Sequence, residues 1–137
     1  MDAKEFLRQV KKLDLQIKNK LIERQQWKDI ALGITASMEG ERVQSSSSQQ
    51  KMADAVGRCV DMESEIDSLV DKLVDTKKEV VQMIERLDSP TEYDVIHRRY
   101  IQFQSLQDIA DHYRKDYGWA TTVHGRALKH VQELLDK

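Results

Sequence analysis

A single proline and a single cysteine stand in the 137 residues of this chain, beside five glycines and only 6% aromatic side chains. Each scarcity removes a class of protein. One cysteine, Cys59, leaves no internal disulfide framework and no cysteine-based zinc cluster, and it fits a reducing compartment. So little Gly and Pro provides few of the tight turns a β-rich fold requires. No run approaches the roughly 20 apolar residues that span a bilayer. Residues 1 to 12, MDAKEFLRQVKK, contain no apolar signal core. The expectation is a protein of the cytoplasm, without a membrane segment. The formal net charge of −2 gives no general pull toward nucleic acid, so any such binding must come from a local arrangement of charge.

What the chain does hold is charge, at 34% of residues, threaded by thin apolar stripes. Phe6, Val10, Leu13, Ile17 and Leu21, then Trp27, Ile30, Ala31, Ile34 and Met38, recur in steps of three and four. They predict one helix over 3–38 with Asp2 as its N-cap. Residues 39–50, EGERVQSSSSQQ, interrupt the pattern. Gly40 and four serines predict a flexible connection. A second stripe (Met52, Val56, Cys59, Met62, Ile66, Leu69, Leu73, Val80, Ile84, Leu87) predicts a helix over 51–88. Two such helices fold back as an antiparallel hairpin. Two helices cannot cover both stripes, so the hairpin is expected to self-associate, with Ile66 and Leu69 at the contact.

Asp88-Ser89-Pro90 punctuates the chain. Ser89 is an N-cap, Pro90 suits the first helical position, and Glu92 completes a capping-box signature. A helix over 90–101 follows, then a connector at 102–104. Ser105 with Asp108 opens a short helix over 105–113. After a turn at Arg114-Lys115, Asp116 caps a last helix over 117–135, with Ala120, Val123, Ala127, Leu128, Val131 and Leu135 inward. The expected fold is all-α: a helical hairpin over 1–88 and a three-helix module over 89–137.

A short helix, a tight turn and a longer helix is the spacing that sets a second helix into a DNA major groove. The pattern Leu87, Pro90, Glu92, Val95-Ile96, Arg99-Tyr100, Ser105-Leu106, Asp108-Ile109-Ala110, Tyr113, Val123-His124, Arg126-Ala127-Leu128 resembles the C-terminal DNA-reading helix-turn-helix of bacterial sigma factors. The wider chain is similar to a family of phage-encoded transcriptional regulators, the ArpU and RinA types. That similarity is carried by Arg42-Val43-Gln44-Ser45, Arg99-Tyr100-Ile101, Ile109-Ala110 and His124-x-x-Ala127-Leu128. The resemblance implies double-stranded DNA as partner and a regulatory role in a bacterial host cell, with host RNA polymerase as a further candidate. It also implies that Tyr117, Gly118, Thr121 and Thr122 face the bases. Three residues depart from the pattern. Arg114 stands where Gly or Asn is usual, because positive φ is easier for them. Lys115 replaces an apolar residue, and Gly118 weakens the helix start by about 1 kcal/mol relative to Ala.

Residues 89–137 carry seven Lys/Arg and seven Asp/Glu, so the module is neutral. Between Tyr117 and Gln132 there is no acidic residue, and Arg126 and Lys129 supply positive charge for phosphates. Gly125 lies beside them and completes the expected DNA face. Trp119 reads as a packing residue, with a sugar or thymine-methyl contact as the alternative. His97, His112, His124 and His130 lack the i, i+4 spacing of a metal pair, and Cys59 lies on an apolar stripe where thiols are inert. No phosphate loop and no nucleophile–base set is found, so no enzyme, cofactor or metal is expected. The expected function is sequence-specific regulation of transcription by a chain that forms a homodimer. Two other readings remain open: the DNA-recognition subunit of a phage packaging machine, and a protein-interaction factor for RNA polymerase or a sigma factor.

Overall fold

A computed structural model describes residues 1–40 and 46–137, with side chains over 1–33 and 47–137. The Arg42-Val43-Gln44-Ser45 segment, and the side chains of Ile34 and Met38, lie outside the described residues. Among the described residues there are five helices and no strand: α1 (Ala3–Gly40), α2 (Ser46–Ile84), α3 (Pro90–Tyr100), α4 (Leu106–His112) and α5 (Tyr117–Leu135). The fold is all-α.

The helices start where their caps dictate. Asp2 Oδ1 accepts the Glu5 N–H at 2.8 Å and Ser89 Oγ accepts the Glu92 N–H at 3.2 Å. Ser105 Oγ accepts the Asp108 N–H at 3.0 Å, and Asp116 Oδ1 the Trp119 N–H at 2.7 Å. Each bond satisfies an N–H that has no partner inside its helix, for about 1 kcal/mol. The expected capping box at Ser89 is only half made. Glu92 is 5% exposed, and its carboxylate lies 2.8 Å from His130 Nδ1, joining α3 to α5.

The connection expected over 39–50 is a correction. Gly40 is the last residue of α1 and α2 begins at Ser46, so both ends of that stretch are helical. Serine is well tolerated in a first turn, where N–H groups lack intrahelical partners. One turn on, Gln50 Nε2 donates to Asp54 Oδ1 at 2.9 Å, an i, i+4 pair that supports the helix. At its other end α2 stops at Ile84 rather than 88. The Arg86 and Leu87 N–H groups reach only three residues back, tightening the last turn before Pro90.

Packing divides the chain into two compact units: Met1–Asp14 with Lys72–Lys137, and Leu15–Asp71. This differs from the expected division at residue 88. In the first unit, Ala3, Phe6, Leu7 and Val10 of α1 share one core with Val80 and Ile84 of α2, Ile96 and Tyr100 of α3, and Ala127 and Val131 of α5. A smaller core of Val95, Ile109 and Val123, flanked by Leu106, Tyr113 and Trp119, joins α3, α4 and α5.

In the second unit the two helix segments run antiparallel, since their partners occur in opposite chain order. Lys20 Nζ lies 3.0 Å from Glu65 Oε2, and Arg24 Nη1 3.5 Å from Glu63 Oε1. The hydrogen bond from Lys20 holds the Glu65 carboxyl below its usual range. Ala31, Ala55, Met62 and Ile66 are buried. The expected stripe is narrower than the periodicity implied. Leu21, Trp27, Ile30 and Val56 are 43%, 36%, 46% and 49% exposed. A two-helix pair covers one narrow seam per helix, and apolar residues beside that seam stay in water.

The shared core of the first unit sets a prediction. A fragment of residues 89–137 leaves Ile96, Tyr100, Ala127 and Val131 without the α1 and α2 side chains that cover them. A piece of that size buries too little to be stable alone. It should show no cooperative thermal transition by circular dichroism, whereas the full chain should melt as a folded protein. A cooperative melt of the fragment would make α1 and α2 dispensable to this core.

Candidate nucleic-acid interface

Helix α5 buries one face and exposes the other. Ala120, Val123, Ala127 and Val131 point into the cores. At 100° per residue, Gly118, Thr121, Thr122, Gly125, Arg126 and Lys129 fall on the opposite arc. Thr121 is half-buried and the other five are exposed. Tyr117 begins the helix and is 53% exposed. All seven expected DNA-facing residues are therefore on, or at the edge of, a single solvent-facing surface.

What positions this surface is the turn before it. Helix α4 ends with the Arg114 N–H on Asp111 O at 3.1 Å and the Lys115 N–H on Ala110 O at 2.9 Å. That pair of bonds needs a left-handed residue between them, and Arg114 has φ 56°. The turn is fastened further by Tyr113, whose hydroxyl donates to Asp94 of α3 and whose ring lies 5.0 Å from that of Trp119. Burial and the bond to Asp94 push the Tyr113 phenol up to about 12. Burial also raises Asp94, but the bonds from Tyr113 and Arg98 outweigh it and its carboxyl is lowered. Trp119 is thus half-buried and packs in this turn against the smaller core.

The Thr121 and Thr122 hydroxyls both donate to Gly118 O at 2.9 Å, so their protons are engaged within the helix. What they present outward is oxygen lone pairs and methyl groups. Those suit the amino donors of adenine and cytosine and the methyl of thymine.

Periodicity did not reveal the contribution of α1. The Ala3 N–H donates to Gln132 Oε1 of α5 at 2.8 Å, and Ala3 is 5% exposed. The first turn of α1 and the exposed face of α5 bound a groove of about 660 Å³, lined by Lys4, Thr122, Gly125, Arg126 and Lys129 among others. A second set of cations surrounds His124, whose Nε2 is 2.7 Å from the Tyr100 hydroxyl. Burial, then the charges of Arg99, Lys4 and Arg8, push this imidazole down to about 4. Lys4 and Arg8 are one turn apart on α1, a signal visible in the sequence. That this turn abuts α5 is not visible there.

Among the described residues no three His, Cys, Asp or Glu side chains form a group able to hold a metal ion, and no helix is long and apolar enough to cross a membrane. The chain matches no protein-family model, no curated protein and no solved structure.

Arg114→Gly should raise stability by about 0.5–1 kcal/mol in urea unfolding. The left-handed backbone costs a side-chain-bearing residue about 1–2 kcal/mol, and the greater freedom of unfolded Gly offsets part of the gain. A loss of stability would mean the Arg114 side chain makes a contact that outweighs its backbone strain.

His124 has a folded pKa of about 4 against an ordinary 6.5, so the unfolded chain takes up the proton first as pH falls. Its contribution is present above 6.5 and is lost from there down to about 4, at up to about 1.4 kcal/mol per pH unit. Over that window the wild type should lose stability relative to His124→Gln. Parallel stability curves would show that His124 titrates normally in the fold.

Proposed function

We propose that this chain is a sequence-specific DNA-binding regulator of transcription, of the phage ArpU/RinA type. In this reading α4 and α5 act as a helix-turn-helix, with the outer face of α5 in the major groove. The observation that carries the proposal is the outward face of α5 over residues 117–132, which holds Arg126 and Lys129 and no acid, behind a short helix and a left-handed turn. Arg126 and Lys129 have no ion-pair partner among the described residues and serve phosphates, which position a protein without reading sequence. Tyr117, Gly118, Thr121 and Thr122 serve base edges in the first two turns. No catalytic step is assigned, and the site of action is the cytoplasm of a bacterial host.

Self-association belongs to the same reading. Ile66 is buried and Leu69 half-buried, so they do not offer the expected contact. Within the 15–71 unit the exposed apolar residues are instead Ile22, Ile30, Leu32, Val56, Val60 and Val70, among others. One small module binds DNA weakly, and a homodimer aligns two reading heads on half-sites about one helical turn apart. Host RNA polymerase is the other protein partner this surface would serve.

The test begins with selection of binding sites from random duplex DNA. Thr121→Ala and Thr122→Ala should each cost roughly 1–3 kcal/mol on the selected site and little on unrelated DNA. Arg126→Ala with Lys129→Ala should weaken binding on both and reduce the salt slope by about one per phosphate contact. Equal losses on both DNAs for the threonine variants would remove base reading. Failure to enrich any sequence would remove the function.

A further inference from the structure

We propose that the groove between the first turn of α1 and the outer face of α5 seats the phosphodiester backbone of duplex DNA. Lys4 acts from one wall, Arg126 and Lys129 from the other, and Gly125 is the point of closest approach. The proposal deepens the DNA-binding reading of α5 and rests on it. It adds a segment of chain that the sequence assigns to a hairpin.

Three observations carry it. First, the groove is fixed. Ala3, Phe6 and Leu7 are buried, and the Ala3 N–H is bonded to Gln132, so Lys4 is held beside α5 rather than on a free end. Second, its charge is predominantly positive. Lys4, Arg126 and Lys129 line it, and none has an ion-pair partner among the described residues. The one acid in the lining is Asp2, which caps α1 through the Glu5 N–H, so three cations stand against one carboxylate. Three cations converging on one depression repel each other, and a phosphate relieves that repulsion. Arg8 and Arg99, facing the uncharged His124 alongside Lys4, extend the positive surface beyond the groove.

Third, Gly125 is unexplained by packing. A Cβ built there meets nothing within 4 Å. Glycine in mid-helix weakens the helix, and nothing inside the fold requires it. It exposes bare helix backbone on the groove, where a phosphate and its sugar can approach closely. The groove of about 660 Å³ is open enough to admit a backbone segment. Duplex DNA is favoured over a small anion because the cations lie on two walls, Lys4 on α1 and Arg126 and Lys129 on α5, with Arg8 and Arg99 beyond them.

The test uses the full chain and a fluorescein-labelled random-sequence duplex, with anisotropy read across a salt series. Lys4→Ala should bind severalfold more weakly at fixed salt, and its plot of log K against log salt should flatten by about one unit. Lys12→Ala, which removes an exposed cation of the same helix away from the groove, should keep the wild-type slope. Gly125→Ala should melt a few degrees higher yet bind less tightly, a combination that a purely structural glycine would not produce. Wild-type binding by Lys4→Ala, alongside weakened binding by Arg126→Ala, would overturn the groove and leave the α5 reading standing. Wild-type affinity in Gly125→Ala would overturn the close approach. No binding by the wild-type chain would overturn the groove together with the DNA reading beneath it.

Discussion

The structure depends on the burial of the first two turns of α1. Ala3, Phe6, Leu7 and Val10 complete a core that α2, α3 and α5 leave open. Leu7 is fully buried, and such a side chain contributes about 1.5–3 kcal/mol from its own removal from water. That burial has two consequences. It gives the inner face of α5 a surface to pack against, which turns the outer face to solvent. It also carries Lys4 and Arg8 to the side of α5, where they add positive charge that residues 89–137 lack on their own. A module neutral in sequence thereby acquires a basic edge in space.

A second constraint is geometric. In the 15–71 unit two helices pair through a narrow seam, with Ala31 and Ala55 buried along it beside Met62 and Ile66. Ion pairs at Lys20–Glu65 and Arg24–Glu63 border the seam and sit partly in water, where such pairs add little stability. The seam cannot cover every apolar residue on either helix. Ile22 at 58%, Leu32 at 59% and Val60 at 59% exposure remain outside it.

The legible parts of this chain were those set by local chemistry. Ser89, Ser105 and Asp116 cap three helices, and each bond is made by a side chain to an N–H three residues on, so a single residue type at the right offset suffices. The left-handed turn at Arg114 was legible only through the resemblance, since an arginine gives no local signal for positive φ. The illegible parts were those set by partners distant in sequence. Ser46 to Ser48 are helical because position in a first turn overrides serine's weak propensity. Leu21, Trp27 and Ile30 keep a helical period yet stay exposed, because periodicity records a face and not what covers it. Glu92 was read as a cap partner and instead meets His130, 38 residues away. The groove at Lys4 joins residues more than 120 positions apart, and no local pattern encodes that.

The proposed DNA-binding surface is the outer face of α5 together with the first turns of α1. The most direct measurement is a titration of isotope-labelled full-length protein with duplex DNA, following backbone amide resonances. The account predicts perturbations concentrated at Gly118, Thr121, Thr122, Gly125, Arg126 and Lys129, and at Lys4 and Arg8, with the 15–71 unit little changed. Perturbations confined to residues 15–71, or none at saturating DNA, would contradict it.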